Sequence, residues 1–255
     1  MSAKAYFAGP LPRVIAHRGF APDGGDRVEN TIPAFAAALA LGASHLETDV
    51  HASSDGIAIV SHDPDLMRLV GHPGTVADFT AAQLRELDLG SGARFCTLAE
   101  LLGAFPEARI NIDIKSADAV EPTIAAIRQN GAVDRVLVTS FSGDRRSTAV
   151  KGLPGVATSA SAAGFVVALV ASKLGLTPVM RLVLRGVDAV QVPERALGLQ
   201  VTTARMVRQL HSVGVEMHVW TINDEAVMNR LLHLGVDAII TDRTDLAMRV
   251  LQSRQ

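Results

Sequence analysis

Two histidines, three carboxylates, an arginine and a lysine fall at the ends of short apolar runs in this chain: His17-Arg18-Gly19, Glu47-Thr48-Asp49, His62 and Asp113-Ile114-Lys115. Residues i and i+2 of a strand share a face, so Glu47 and Asp49 point the same way, as do Asp113 and Lys115. With Leu46 and Val50 facing outward, the acids face inward, where burying three unpaired carboxylates is costly. A divalent cation removes that cost, because it takes hard oxygen ligands and cancels like-charge repulsion. An imidazole titrates near pH ~6.5, so of two histidines flanking a cation one accepts a proton while the other donates one. Arg18, Lys115 and a cation together make an anion trap suited to a phosphate ester. Singly, each acid serves as well in a surface salt bridge, Arg18 as an ion-pair member and Trp220 as core. Their joint placement at strand ends points to a site. His51, on the Glu47 face, reads as structural or exposed. His45, His72, His211, His218 and His233 read as solvated or satisfied in the core.

The elements that must position these groups alternate along the chain. Strand candidates are 13–17, 44–51, 56–62, 109–115, 135–141, 156–160, 187–192, 215–221 and 236–241. Helical patterns over 31–41, 98–105, 119–130, 203–213 and 224–234 lie between them, several stopped by Gly42, Gly131, Gly214 and Gly235. Such alternation at this length predicts a parallel sheet with helical crossovers, closed as a (β/α)₈ barrel of one domain over residues 1–255. A doubly wound open sheet is the alternative, weakened by the lack of G-x-G-x-x-G after the first strand. Barrel enzymes carry their sites at the strand C-termini, where the polar residues above fall. Residues 63–78 read as one irregular stretch after a strand, the place for a functional loop.

Composition excludes several classes. The 255 residues are 48% hydrophobic and 20% charged, a globular mix. The 24 basic and 26 acidic residues leave a net charge of −2, against nucleic acid as a partner. One cysteine, Cys96, builds neither a disulfide framework nor a thiolate metal site. No P-loop or G-x-S-x-G pattern occurs. The most apolar stretch, 164–180, contains Lys173 and Pro178 and falls short of the ~20 apolar residues of a membrane span. It reads as a buried or partly buried helix, or else as a surface helix touching lipid or a long-chain substrate. Met1–Arg13 shows no export signal, so the default expectation is a cytoplasmic enzyme, with peripheral membrane contact left open.

These motifs, in this order, resemble the glycerophosphodiester phosphodiesterases over most of the chain. The likeness runs from His17-Arg18-Gly19 and Glu29-Asn30-Thr31 through Glu47-Thr48-Asp49-Val50, Asp55-Gly56 and Val60-Ser61-His62-Asp63. It continues through Thr97-Leu98-Ala99-Glu100, Asn111-Ile112-Asp113-Ile114-Lys115 and Ser140-Phe141 to Val219-Trp220-Thr221-Ile222-Asn223 and Gly235–Asp242. The resemblance implies a phosphodiesterase-like (β/α)₈ TIM barrel and a divalent metal, Mg²⁺ or Ca²⁺, on Glu47, Asp49 and Asp113. It makes His17 and His62 the acid–base pair, has Arg18 and Lys115 hold phosphate, and puts Trp220 against the substrate. The implied reaction hydrolyses a glycerophosphodiester to glycerol phosphate and an alcohol, through a cyclic phosphate. Alternatives are a lysophospholipase D-type activity on lysolipids and a barrel that binds headgroups without cleaving them. Asp113 stands where many members have Glu, as it does in related sphingomyelinase D-type enzymes. Glu29 and Asn30 either orient the site or fix the start of the Thr31 helix.

Overall fold

The computed structural model describes residues 4–21, 28–90, 92–196 and 198–254; residues 1–3 of the N-terminal segment lie outside them. Eight parallel strands form the wall: β1 (Arg13–His17), β2 (His45–Ala52), β3 (Arg109–Ile114), β4 (Val136–Thr139), β5 (Ala157–Thr158), β6 (Ala189–Pro193), β7 (Glu216–Trp220) and β8 (Ala238–Thr241). They pair in the order β5-β4-β3-β2-β1-β8-β7-β6. A parallel bridge between Ser159 and Ala189 joins the two ends, so the sheet closes on itself. Closure decides for the barrel and against the open doubly wound sheet.

The outer layer is α1 (Ile32–Ala40), α2 (Leu98–Ala104), α3 (Val120–Gln129), α4 (Gly143–Gly152), α5 (Ala162–Lys173), α6 (Thr177–Val183), α7 (Ala204–Ser212), α8 (Glu225–His233) and α9 (Thr244–Gln252). Local chemistry sets their ends. Thr31 caps α1 by accepting from the Ala34 amide at 3.4 Å, and Gly42, at φ +97°, stops it. Helix α4 was not legible as a helix from apolar periodicity: its sequence is charged and only Ala149 is buried.

Strand parity sorts the side chains. Leu46, Thr48 and Val50 of β2 and Ile110, Ile112 and Ile114 of β3 face the helices, and the five apolar ones sit in one cluster with Leu98, Leu101 and Leu102 of α2. Each of the three isoleucines is fully buried, a contribution of about 1.5–3 kcal/mol apiece. The alternate residues point into the barrel, where a polar ladder runs inward from the bottom. Arg13 Nη1 donates to Glu216 Oε2 at 2.6 Å, His218 Nε2 lies 3.0 Å from the same oxygen, and Gln191 and Asn111 follow. Tyr6, fully buried, plugs this end with Leu137, Ala157 and Ala189.

Three expectations need correction. The run 56–62 is no barrel strand: Ala58–Val60 pairs antiparallel with β2, Val50 facing Val60. The reason is the Ser53–Gly56 turn, in which Gly56 takes φ +74° and Ser53 and Ile57 hydrogen-bond through the backbone. Residues 63–78 are no irregular loop either. They belong to an ordered excursion containing helices Met67–Val70 and Ala81–Glu86, with a small core of its own around Leu66, Leu69, Leu84 and Phe95. The apolar run 164–180 is two helices, broken where Gly175 adopts φ +72° and Pro178 opens the next turn.

His45 supplies a pH prediction. Its ring is 1% exposed, lies 2.8 Å from the Tyr6 carbonyl through Nε2, and receives the Ser44 hydroxyl on Nδ1 at 2.9 Å. Burial pushes its pKa down to about 3. A folded-state pKa below the unfolded value means that the unfolded chain takes the proton first. Stability is therefore complete above pH ~6.5 and is lost as pH falls toward the folded value, by about 2 kcal/mol at pH 5. Urea unfolding at pH 7 and pH 5 should show that drop in the parent and a smaller one in His45→Gln; equal drops would remove His45 as the cause.

Candidate active site

Register builds the site level by level at the C-terminal ends of the strands. His17 is paired with Glu47, Glu47 with Asn111, and Asp49 with Asp113 across neighbouring strands, so their side chains stand about 4.8 Å apart along the wall. They line a cavity of about 450 Å³ with His62, Arg18, Lys115, Phe141 and Trp220. All eight residues singled out in the sequence thus share one cavity. The antiparallel return of Ala58–Val60 is what carries His62 back over the mouth.

Both histidines are oriented alike. His17 Nδ1 lies 2.6 Å from Asp242 Oδ1, and His62 Nδ1 lies 2.6 Å from Asp63 Oδ1. Each Nδ1–H donates to its carboxylate, which leaves both Nε2 atoms as the working nitrogens. His17 Nε2 stands 3.9 Å from Glu47 Oε2. Burial disfavours charging the His17 ring, and the carboxylates of Glu47 and Asp242 more than offset that, so its pKa is raised.

The cations are already engaged. Lys115 Nζ sits 2.8 Å from Asp49 Oδ1 and 2.8 Å from Asp113 Oδ2. Arg18 reaches Glu29 at 3.3 Å and Asp49 at 3.4 Å. Its backbone takes φ +56°, which turns the amide onto Glu47 at 3.1 Å. Asn30, also left-handed at φ +57°, donates from Nδ2 to Asp49 Oδ2 at 3.2 Å and accepts from Thr48 Oγ1 at 2.8 Å. The open question about Glu29 and Asn30 resolves toward orienting the site, while Thr31 is the helix cap.

Three carboxylates compete for this positive charge. Burial works against the ionised form of Asp49, but Lys115 and Arg18 outweigh it and hold its pKa below the usual range. Burial and the Asp49 charge push Glu47 up to about 8. Burial, with Asp49 adding to it, also raises Asp113 despite Lys115. Asp113 Oδ1 is buried with no hydrogen-bond partner. Among the described residues no three ligating side chains stand as a formed chelate. Yet an orphaned carboxylate oxygen on Asp113, with Glu47 and Asp49 on the same wall and the pKa values of Glu47 and Asp113 both raised, is the donor set a hard cation takes, so the residues fit one.

Sequence reasoning missed the groups that hold the histidines. Asp242 closes β8, and Asn223 steadies it, donating from Nδ2 to Asp242 Oδ2 at 2.7 Å. Asp63 is gripped by Arg68 Nε, and Arg68 Nη2 reaches Glu29 at 2.5 Å. An acid directly after a barrel strand was the available signal at 242; Asp63 follows the antiparallel Ala58–Val60 instead, beside His62.

A family model described as the glycerophosphoryl diester phosphodiesterase family matches residues 17–246. The chain belongs to this family. A probable glycerophosphodiester phosphodiesterase 2 of Mycobacterium tuberculosis is 41% identical over 242 residues, covering 94% of this chain and 90% of the relative. A rat (Rattus norvegicus) lysophospholipase D is 39% identical over 118 residues, 41% of this chain and 37% of its own. Among solved structures, an Oleispira antarctica phosphodiesterase in complex with the product sn-glycerol-3-phosphate superposes with TM-score 0.76 at 23% identity, over 95% of this chain and 97% of that one. The last is a likeness of fold. The family match begins at His17 and ends past Asp242, so both ends of the His17–Asp242 pair lie within it.

Proposed function

We propose that this glycerophosphoryl diester phosphodiesterase family member hydrolyses glycerophosphodiesters to glycerol phosphate and an alcohol, with His17 and His62 as the acid–base pair and Glu47, Asp49 and Asp113 holding Mg²⁺ or Ca²⁺. The observation that carries the reading is the pair of histidines, each fixed through Nδ1 by a carboxylate, opening onto one cavity with three acids. A bound cation supplies charge neutralisation for the phosphate oxygens. One Nε2 takes the proton from the glycerol hydroxyl next to the phosphate as that hydroxyl attacks phosphorus. The other Nε2 gives a proton to the departing alcohol oxygen. Water then opens the cyclic phosphate with the two roles exchanged. Placing the attacking hydroxyl in the same molecule removes most of the entropic cost of the first step. Lys115 and Arg18, the cations of the cavity wall, bind the ester's negative oxygens, and Trp220, packed edge-on against Phe141 at 6.2 Å, forms an apolar wall for the alcohol side.

The test is release of glycerol phosphate from glycerophosphocholine, glycerophosphoethanolamine and glycerophosphoinositol with Mg²⁺ or Ca²⁺ present. Turnover of at least one is expected. Inertness across the panel would overturn the reading, and turnover of lysophosphatidylcholine would then separate the lysophospholipase D-type alternative from headgroup binding without cleavage.

A further inference from the structure

We infer that α5 and α6 form a docking face for an anionic lipid bilayer beside the mouth of the active-site cavity. Of the thirteen large hydrophobic residues exposed among those described, seven lie between Val166 and Leu182. They recur at Val166, Val167 and Val170 of α5 and at Leu174, its C-cap, while Phe165, Ala168, Leu169 and Ser172 turn inward. On α6 Val179 and Leu182 face out and Met180 inward; Leu174 and Leu182 are 66% and 71% exposed. A barrel helix facing only water carries polar residues on that side. A contiguous apolar face marks a binding surface.

Charge selects the occupant. No Asp or Glu occurs between Asp144 and Asp188, although the whole chain is net −2. Lys173, Arg181 and Arg185 stand exposed on or just after these two helices. Apolar residues flanked by uncompensated Lys and Arg are the composition of a helix that lies in a bilayer interface and prefers anionic headgroups. A second copy of this chain fits badly, because a two-fold contact would set the same basic rim against itself. No described helix is long and apolar enough to cross a membrane, so the face lies on the lipid. Val166, near the N-terminal end of α5, also lines the cavity, so the face reaches the site at that end. This last point rests on the phosphodiesterase reading: a surface that holds lipid puts the source of glycerophosphodiesters or lysolipids at the entrance.

The test is flotation of the full chain with vesicles of phosphatidylcholine, with and without phosphatidylglycerol. Binding to the phosphatidylglycerol vesicles is expected, weakened by added salt and reduced roughly tenfold or more in Lys173→Gln/Arg181→Gln. Leu174→Glu/Leu182→Glu should lose it altogether. Turnover of soluble glycerophosphocholine by both variants should stay within about twofold of the parent, since none of these residues touches the cavity. Vesicle binding lost in the variants supports the face even where no glycerophosphodiester is hydrolysed, which separates the two readings. Parent protein that stays out of the vesicle fraction overturns it. So does a dimer that Leu174→Glu/Leu182→Glu splits, if no vesicle binding accompanies it.

Discussion

His17→Ala and His62→Ala should each lower kcat on a glycerophosphodiester by about 10²–10⁴-fold, the range for loss of a positioned proton-transfer group. The geometry makes the two losses alike, because each ring is held by one carboxylate and offers one free nitrogen. They should not sum in the double variant, since two groups acting on one proton-transfer sequence fail together. Both rings are partly solvent-exposed, at 17% and 33% of the side chain, so the Ala variants should fold and unfold in urea much as the parent does. Removing the orienting carboxylate is the finer probe. Asp242→Asn keeps the shape but can no longer select the tautomer with the proton on Nδ1, so its kcat should fall while glycerophosphodiester KM changes little. Parent-like kcat in either Ala variant would take that histidine out of the mechanism.

Chelation should bring turnover to background, and readdition of Mg²⁺ or Ca²⁺ should restore it. The cause is electrostatic. Glu47, pushed up to about 8 by burial and by Asp49, and Asp113, raised by burial, keep raised pKa values even with Lys115 and Arg18 in the same wall. A divalent ion supplies further counter-charge, and at a hundredfold excess over its Kd it should stabilise the fold by about 2.7 kcal/mol. Asp113→Asn removes one charge and the orphaned anionic oxygen. The metal concentration for half-maximal rate should then rise at least about tenfold, about 1.4 kcal/mol. Thermal unfolding with and without the ion should show the stabilisation in the parent and much less of it in the variant. Turnover indifferent to chelator, with no thermal shift, would remove the metal from the site.

The local sequence carried the barrel and most of the candidate site because both depend on short-range rules. Strand parity put Glu47 and Asp49 on one face and Leu46 and Val50 on the other, and helix caps such as Thr31 and stops such as Gly42 set the spacing of the βα units. Where the rule was short-range but the partner was not, local reading failed. A continuous run at 56–62 looks like a wall strand until the turn at Gly56 folds it back on β2. The apolar run 164–180 looks buried until the barrel is closed and its outer face is left uncovered.

What the sequence alone determined is which side chains share a face of each strand, and so which chemistry the barrel mouth could hold. Only the tertiary structure decided the pairings: Lys115 between Asp49 and Asp113, Arg18 on Glu29 and Asp49, and His17 on Asp242, 225 residues away. The physical reason is that parity follows from backbone geometry at neighbouring residues. Which charge meets which follows from the register of strands brought together by closure, and two acids of like pattern, Asp237 and Asp242, end at opposite ends of one strand with different partners, His211 and His17.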